Sequence, residues 1–301
     1  MNVLVAGGSG FIGTALCREL TERGHDVTAM SRSPDEEELP EGVEPYAGDV
    51  TDYESIEGAF EDQDAVVNLV ALSPLFVPEG GESQHLRVHL GGTEHIIEAA
   101  ETHGVDRLVQ QSGLGADPDA ESHYLRAKGH AERVVRESDL DWVITRPSIV
   151  FGDGDEIVPF TKLVTTPYVT GLPGGGKLLR LQLIWVEDFV PLLADCVEGD
   201  EHVGQTYEFG GPKVYTLADV TRLIYEAEGK PVTILPVPMP MAKLGLTAAD
   251  YVPPVPLGSD QYHGLHFDNT VSENAVEAFG VDLDDLRTFE EYLGLESDDD
   301  G

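Results

Sequence analysis

The chain has 301 residues, of which 56 are acidic and 18 basic, for a net charge of −38. A uniformly acidic surface repels nucleic acid in dilute salt, which excludes a nucleic-acid partner. The small number of lysines relative to acidic residues indicates a halophilic protein. No apolar run approaches the ~20 residues of a membrane span, so we expect a cytoplasmic protein with no transmembrane helix.

The first half alternates between short apolar runs and segments with helical spacing. Strands are predicted at 2–7, 26–30, 43–47, 65–71, 106–112 and 141–146. Helices are predicted at 11–24, 83–104 and 122–138. Strands separated by helices indicate a parallel sheet that is covered on both faces. The predicted fold class is therefore α/β, with a Rossmann-type doubly wound parallel sheet in residues 1–150.

The second half is less regular and predicts a smaller α/β lobe in residues 151–301, interleaved with the last strands of the sheet. The glycine-rich segment 171–177 lacks the Ser or Thr of a phosphate loop and is predicted to be a mobile loop near the substrate. A helix is expected from about Glu187, a strand at 206–211, and a helix at 216–229 capped by Thr216. The Pro-rich apolar segment 236–246 is expected to line a pocket or to pack as a loop.

A glycine loop directly follows the first predicted strand. Gly7, Gly10 and Gly13 stand three apart, in the sequence VLVAGGSGFIGTAL. Such glycines permit a tight turn, close approach of the backbone to a pyrophosphate, and close packing of helix on strand. Free N–H groups at the start of the helix, around Phe11 and Ile12, favour an anion. The motif predicts a dinucleotide site.

The end of the second predicted strand favours NADP(H) over NAD(H). An acidic residue at this position would bind the ribose hydroxyls of NAD, whereas an arginine would accept the 2′-phosphate of NADP. The chain has Ser31, Arg32 and Ser33 here. All three can contact a phosphate, and Arg32 supplies the charge.

Several motifs in order along the chain resemble those of the extended short-chain dehydrogenase/reductase superfamily, the NAD-dependent epimerase/dehydratase family. They are the glycine loop, GDVTD, VVNLVA, Ser112, Tyr124-x-x-x-Lys128 and TRPSIVFGDGD. The segments SGLGADPDAESHYLRAKGHAE, WVEDF and TYEFGGPKVYTLADV are similar to the atypical branch that includes the mitochondrial complex I 39-kDa subunit. The resemblance extends to about residue 245.

The resemblance implies a role for each matching residue. Lys128 would hold the nicotinamide ribose and lower the pKa of Tyr124, Tyr124 would exchange a proton with a carbonyl or alcohol oxygen, and Ser112 would orient that oxygen. Further cofactor contacts are expected along the strand ends, at Asp49, Val50, Val70, Ala71, Pro147, Ile149 and Val150. The family's usual Asn before the Gly-Thr step is replaced by His89, which we expect to hydrogen-bond in its place.

Other candidate residues have simpler explanations. His85, His89 and His95 share a helix but lack a third ligand of the usual kind, and His263 and His266 are similarly isolated, so no metal is expected. Cys17 and Cys196 are expected to be buried thiols. Two arginines, Arg146 and Arg180, would either contact an anionic substrate or pair with nearby acids.

Two functions remain open from the sequence. The first is an NAD(P)(H)-dependent oxidoreductase or epimerase/dehydratase that acts on a small carbonyl or alcohol substrate through Ser112, Tyr124 and Lys128. The second is a non-catalytic NADPH-binding subunit or assembly factor of a respiratory or quinone-linked complex. The Pro-rich apolar segments favour a hydrophobic or quinone-like substrate, or a protein partner, and leave peripheral membrane association open.

Overall fold

A computed structural model describes residues 1–249 and 268–295 of the chain. The residues cluster into two compact units. The first unit comprises Met1–Leu72, Pro78–Pro147 and Val186–Glu208, and the second comprises Ser73–Val77, Ser148–Trp185 and the described residues from Phe209 onward. The division of function between residues 1–150 and 151–301 stays a prediction.

The first unit is built on a seven-stranded sheet, and the predicted Rossmann-type doubly wound fold is confirmed. Its strands are β1 (Asn2–Ala6), β2 (Asp26–Ser31), β3 (Glu44–Ala47), β4 (Ala65–Asn68), β5 (Arg107–Gln111), β6 (Asp141–Pro147) and β11 (Thr206–Phe209). Their order is β11-β6-β5-β4-β1-β2-β3, and β1 to β6 pair in parallel. The strand order reverses between β1 and β4, where sheets of this type bind ligands.

Helices cover the sheet of the first unit. They are α1 (Phe11–Glu22), α2 (Tyr53–Ile56), α3 (Ser83–His85), α4 (Gly92–His103), α5 (His123–Glu137) and α7 (Val186–Glu198). The core contains fully buried Leu4, Val66 and Leu108 from three neighbouring strands. Helix α1 is linked to α7 by ion pairs of Arg18 with Glu187 and of Arg23 with Asp195, each 2.6 Å long.

The predicted helix over 83–104 is continuous but not uniform. A π-helical segment, Leu86–Gly91, lies between α3 and α4. Short π-helical stretches insert one residue into a helix and are frequent at functional sites. Here the insertion contains His89. Helical periodicity does not locate such an insertion, because it depends on what packs against the helix.

The second unit consists of small sheets and short helices. Its strands are β7 (Val150–Phe151), β8 (Tyr168–Pro173), β9 (Arg180–Leu181), β10 (Ile184–Trp185), β12 (Tyr215–Thr216), β13 (Val232–Val237) and β14 (Asp268–Asn269). Its helices are α6 (Ile157–Val164), α8 (Leu217–Ala227), α9 (Met239–Ala249) and α10 (Phe289–Tyr292). Thr216 caps α8 as expected, in a capping box with Asp219. Its core includes Phe151, Leu181 and Phe289.

One loop prediction in the second unit is partly wrong. Gly171 to Pro173 belong to β8 rather than to a loop, because β8 pairs in parallel with β13 along its whole length. The turn begins only at Gly174, where three successive glycines adopt positive φ angles. Among the described residues no helix is long and apolar enough to cross a membrane.

Candidate functional site

The glycine loop has the geometry of a phosphate cradle. Gly7 has a φ of +87°, which favours glycine, and a Cβ on Gly13 would lie 2.1 Å from the Gly7 carbonyl oxygen. Helix α1 begins at Phe11, and its N-cap, Gly10, offers no side-chain cap. The N–H groups of Phe11, Ile12 and Gly13 have no partner one turn earlier in the helix, so they can donate to an anion. These residues fit the pyrophosphate of a dinucleotide.

The loop lies against the end of β4, at the point where the strand order reverses. A Cβ on Gly7 would come within 3.2 Å of both the Leu69 carbonyl carbon and the Val70 nitrogen. Val70 is half-buried and Ala71 is exposed. The structure therefore brings Val70 beside the glycine loop, and its role in cofactor binding stays a prediction.

Polar groups collect at the ends of β2 and β3, where the adenosine of a dinucleotide is expected. The Ser31 hydroxyl is buried with no hydrogen-bond partner in the described residues, whereas Arg32 and Ser33 are exposed. Burial opposes ionisation of Asp49, but hydrogen bonds from Thr51 and the charges of Arg32 and Arg87 outweigh it and lower the Asp49 pKa. Two cations therefore lie close enough to Asp49 to act on it.

Asp49 and Val50 are partly engaged by the protein itself. The Asp49 carboxylate accepts hydrogen bonds from the backbone N–H and the hydroxyl of Thr51, at 2.9 and 2.8 Å. The Val50 carbonyl oxygen lies 2.8 Å from Nδ1 of His95. These bonds fix the loop after β3. The predicted contacts of Asp49 and Val50 with adenine would use the atoms of both residues that these bonds do not occupy.

Ser112, Tyr124 and Lys128 converge at the end of β5. Ser112 follows the strand directly, and its N–H donates to the Thr145 carbonyl oxygen of β6 at 2.7 Å. A Cβ on the adjacent Gly113 would lie 3.5 Å from the Tyr124 hydroxyl. The Lys128 Nζ lies 6.0 Å from the centre of the Tyr124 ring. The arrangement places a hydroxyl, a phenol and an amine together.

The approach of α5 to β5 depends on Gly129, a glycine that is not among the predicted site residues. A Cβ on Gly129 would lie 2.2 Å from the Asp117 carbonyl carbon, so any side chain here would push away the loop that links β5 to α5. The Asp117 N–H donates to the Leu125 carbonyl oxygen, which holds the same loop on the helix. The glycine immediately after Lys128 in the sequence could have indicated this close approach.

Lys128 is almost fully buried, and this dominates its electrostatics. Its side chain is 1% exposed, and its Nζ donates to the Gln111 carbonyl oxygen at 3.0 Å. Burial lowers the Lys128 pKa to about 8, although the charge of Glu132 acts in the opposite direction. The amine is therefore mostly protonated at neutral pH, and its charge lies 6.0 Å from the centre of the Tyr124 ring.

Glu132 lies one turn after Lys128 and is paired with Arg146. The Arg146 guanidinium binds both carboxylate oxygens of Glu132, through Nε at 2.8 Å and Nη2 at 2.7 Å. Of the two predicted roles for Arg146, the structure shows the ion pair with a nearby acid. Arg180 does the same with Asp268 at 2.8 Å. Ser112 Oγ lies near the Glu132 carboxylate but in no well-aligned hydrogen bond, so its hydroxyl can reorient towards a substrate.

His85 and His89 pack against Tyr124. The two imidazoles stack on each other with centres 5.6 Å apart, and each stands nearly perpendicular to the Tyr124 ring, at 5.8 and 5.3 Å. Burial, followed by the charges of Lys128 and His85, lowers the pKa of His89 well below its usual value, so His89 is neutral. Its Nε2 accepts the Leu72 N–H at 3.4 Å, so His89 hydrogen-bonds as expected, here to the backbone after β4.

The other predicted residues are divided between the units. Pro147 ends β6 in the first unit, whereas Ile149 and Val150 belong to the second, where Val150 pairs with Ile184. His263 and His266 lie outside the described residues. Within 1–249 and 268–295, no group of three or more His, Cys, Asp or Glu side chains is arranged to hold a metal. Cys17 and Cys196 are buried free thiols, as expected.

Comparison with known families identifies the glycine-loop unit. The profile of a family described as NAD(P)H-binding matches residues 7–165. The chain belongs to this NAD(P)H-binding family. The match begins at the first glycine of the loop and includes Ser112, Tyr124 and Lys128.

Two relatives show the range of proteins to which the chain is similar. A mitochondrial protein of Arabidopsis thaliana, NADH dehydrogenase [ubiquinone] 1 alpha subcomplex subunit 9, is 28% identical over 299 residues, covering 93% of this chain and 73% of its own. The 2-alkyl-3-oxoalkanoate reductase of Stenotrophomonas maltophilia is 35% identical over 181 residues, covering 53% of this chain and 54% of its own. The resemblance to extended short-chain dehydrogenase/reductases of the complex I 39-kDa branch is thus confirmed.

Solved structures share the fold. The UDP-glucose 4-epimerase of Thermus thermophilus, determined in complex with NAD, superimposes with a TM-score of 0.68 at 23% identity, covering 89% of this chain and 98% of the epimerase. At this level of identity the likeness concerns the fold alone.

Proposed function

We propose that the protein is an NAD(P)H-dependent oxidoreductase that acts on a carbonyl or alcohol group. The observation that carries the proposal is the buried Lys128 amine, which is held by the Gln111 carbonyl beside the ring of Tyr124. A buried amine costs free energy, and a position that needed only packing would hold an apolar residue. The reductase from Stenotrophomonas maltophilia, whose name describes reduction of an oxo group, supports the same chemistry.

In the proposed reduction, Tyr124 acts as the acid and Ser112 orients the substrate. Ser112 Oγ donates to the carbonyl oxygen, and the Tyr124 hydroxyl gives its proton to that oxygen as the carbonyl carbon is reduced. The Lys128 ammonium stabilises the resulting phenolate, which solvent then protonates again. The nicotinamide cofactor, when bound, supplies the hydride. The glycine loop holds its pyrophosphate, and Val70 with Pro147 lines its path.

NADP(H) is the proposed cofactor, because the end of β2 carries a cation rather than an acid. Arg32 would bind the 2′-phosphate, and the buried Ser31 hydroxyl would gain the hydrogen-bond partner that it lacks. Replacement of Arg32 by Ser is expected to weaken NADPH binding by at least about tenfold and to leave NADH binding unchanged. Fluorescence titration of both cofactors measures this, and an equal loss for NADH would contradict the assignment.

The test of the function is NADPH oxidation against a panel of quinones, aldehydes, ketones and keto-sugars, in dilute buffer and in molar KCl. Tyr124→Phe should lower kcat by about 10²-fold or more while NADPH still binds. Tyr168→Phe is a matched control, because this tyrosine is 62% exposed in the second unit. Equal turnover by wild type and Tyr124→Phe would refute the proposed acid.

The second candidate is a cofactor-holding subunit of a respiratory complex. It is favoured by the Arabidopsis thaliana relative, which matches 93% of this chain. NADPH binding without turnover on any member of the panel supports this alternative, and the search then moves to protein partners.

A further inference from the structure

Two amide side chains lie side by side in the buried centre of the sheet. Asn68 of β4 and Gln110 of β5 are direct partners in the strand register, and their side chains are 3% and 2% exposed. The other side chains of β4 are apolar. Burying an amide costs free energy unless its donors and acceptors are satisfied. Packing alone therefore does not explain why two amides occupy these buried positions.

The hydrogen bonds of the pair run in one direction, towards Lys128. The Val70 N–H donates to Asn68 Oδ1 at 3.1 Å, and Asn68 Nδ2 donates to Gln110 Oε1 at 2.9 Å. Gln110 Nε2 then donates to the Gln111 carbonyl oxygen at 3.1 Å, and the same oxygen receives Lys128 Nζ at 3.0 Å. A backbone N–H can only donate, so Val70 determines how both amides are oriented.

A branch of the same network reaches the π-helical segment. Asn68 Nδ2 lies 3.3 Å from Thr93 Oγ1, and the Thr93 hydroxyl donates to the His89 carbonyl oxygen at 2.6 Å. The His89 ring contacts Tyr124. Asn68 is thus connected on one side to the support of Lys128 and on the other to the segment that packs on Tyr124.

We propose that Asn68 is a positioning residue that fixes the positions of Lys128 and Tyr124 relative to the end of β4. The inference rests on the proposed function, in which Tyr124 donates a proton and Lys128 stabilises the resulting phenolate. Because Val70 lies beside the glycine loop, the network also links the predicted cofactor strand to the acid/base pair. Satisfied buried networks of this kind rigidify a site more than their separate bonds suggest.

The first variant is Asn68→Leu, which removes both branches and keeps the volume of the side chain. We expect kcat to fall by between about tenfold and a hundredfold, while the Kd for NADPH changes by less than about threefold. The matched control is Gln182→Leu in the second unit. Gln182 also bridges two backbone groups, donating to the Gly211 carbonyl oxygen and accepting the Val271 N–H, and its loss should leave kcat unchanged.

The second variant, Asn68→Asp, separates positioning from simple loss of stability. A protonated carboxyl group can accept the Val70 N–H and donate to Gln110 Oε1, as Asn68 does, whereas an ionised carboxylate cannot donate. Its kcat relative to wild type should therefore recover to within about threefold at acid pH and fall as the carboxyl ionises. Asn68→Leu has no titrating group and should show no such recovery.

The two variants test the positioning role of Asn68 independently, so one of them is enough if the other fails to fold. Wild-type kcat in Asn68→Leu, or a constant ratio of Asn68→Asp to wild type at every pH, overturns the inference. If wild type turns nothing over, the proposed function fails separately, and NMR of ¹³C-labelled lysine decides the positioning. The chain has six lysines, and Lys128→Arg assigns the signal. The Lys128 signal should titrate at higher pH in Asn68→Asp than in wild type, and an unchanged titration overturns the inference.

Discussion

Replacement of Lys128 by Met should stabilise the protein at neutral pH while abolishing its activity. Burial lowers the Lys128 pKa from 10.5 to about 8. At ~1.4 kcal/mol per pKa unit, the protonated amine costs the fold about 3 kcal/mol. Met has a similar length and needs no solvation. The Gln111 carbonyl oxygen loses one donor, but it keeps Gln110 Nε2, which limits that loss to about 1 kcal/mol.

The sign of the pH dependence follows from the lowered pKa. Below pH 8 the amine is protonated in both folded and unfolded chains, so the full cost of burial is present. Between pH 8 and 10.5 the unfolded chain binds a proton that the folded chain has released, so wild-type stability rises with pH. The advantage of Lys128→Met should therefore shrink by about 3 kcal/mol across this window and disappear above it.

Urea unfolding of wild type and Lys128→Met at pH 7, 8, 9 and 10 in molar KCl measures the difference. Lys177→Met is the matched control, because Lys177 is exposed and its ammonium stays solvated. A pH trend for Lys177→Met equal to that of Lys128→Met would show that the loss of any lysine, and not the loss of a buried one, is responsible. If Lys128→Met were destabilised equally at pH 7 and pH 10, the buried-amine reasoning would be refuted.

Three further predictions concern other parts of the structure. Gly13→Ala should lose about 1–3 kcal/mol of unfolding free energy and most of its NADPH affinity, because the new Cβ would meet the Gly7 carbonyl oxygen. Gly245→Ala is the control and should keep both the stability and the affinity, because its Cβ meets open space in α9. Glu132→Gln should lower the free energy of urea unfolding by about 3 kcal/mol, because it removes the close pair with the half-buried Arg146 and, among the described residues, leaves that arginine only its longer 3.4 Å pair with Glu208. Added KCl should raise the unfolding midpoint steeply, because it screens a net charge of −38; a midpoint independent of KCl would remove the halophilic hypothesis.

Local features of this fold could be predicted because their signals are local. The strand before Gly7, the glycine spacing and the Thr216 cap each depend on neighbouring residues, and the structure has all three. The six strands predicted in the first half are present, with ends that differ by up to a few residues. The Tyr124 and Lys128 pair could be proposed from its spacing in a helix.

The remaining features depend on contacts between distant segments. Asn68 and Gln110 meet only through the register of β4 and β5, which no sequence spacing reveals. The sequence does not decide whether Arg146 binds a substrate or an acid, because its partner Glu132 lies on another element. The π-helical insertion at His89 depends on what packs against the helix. Contacts of this kind form only when distant segments pack together, so local sequence patterns do not predict them.

Hydride tracing in a single turnover tests directly whether the protein reduces a carbonyl group with NADPH. Wild type is mixed with stoichiometric NADPH that carries deuterium at both C4 positions and with the best carbonyl compound from the panel, and the product is examined by mass spectrometry. We expect deuterium on the reduced carbon in wild type and about 10²-fold slower transfer in Tyr124→Phe, with NADPH bound in both proteins. NADPH bound by wild type without any transfer of deuterium would contradict it.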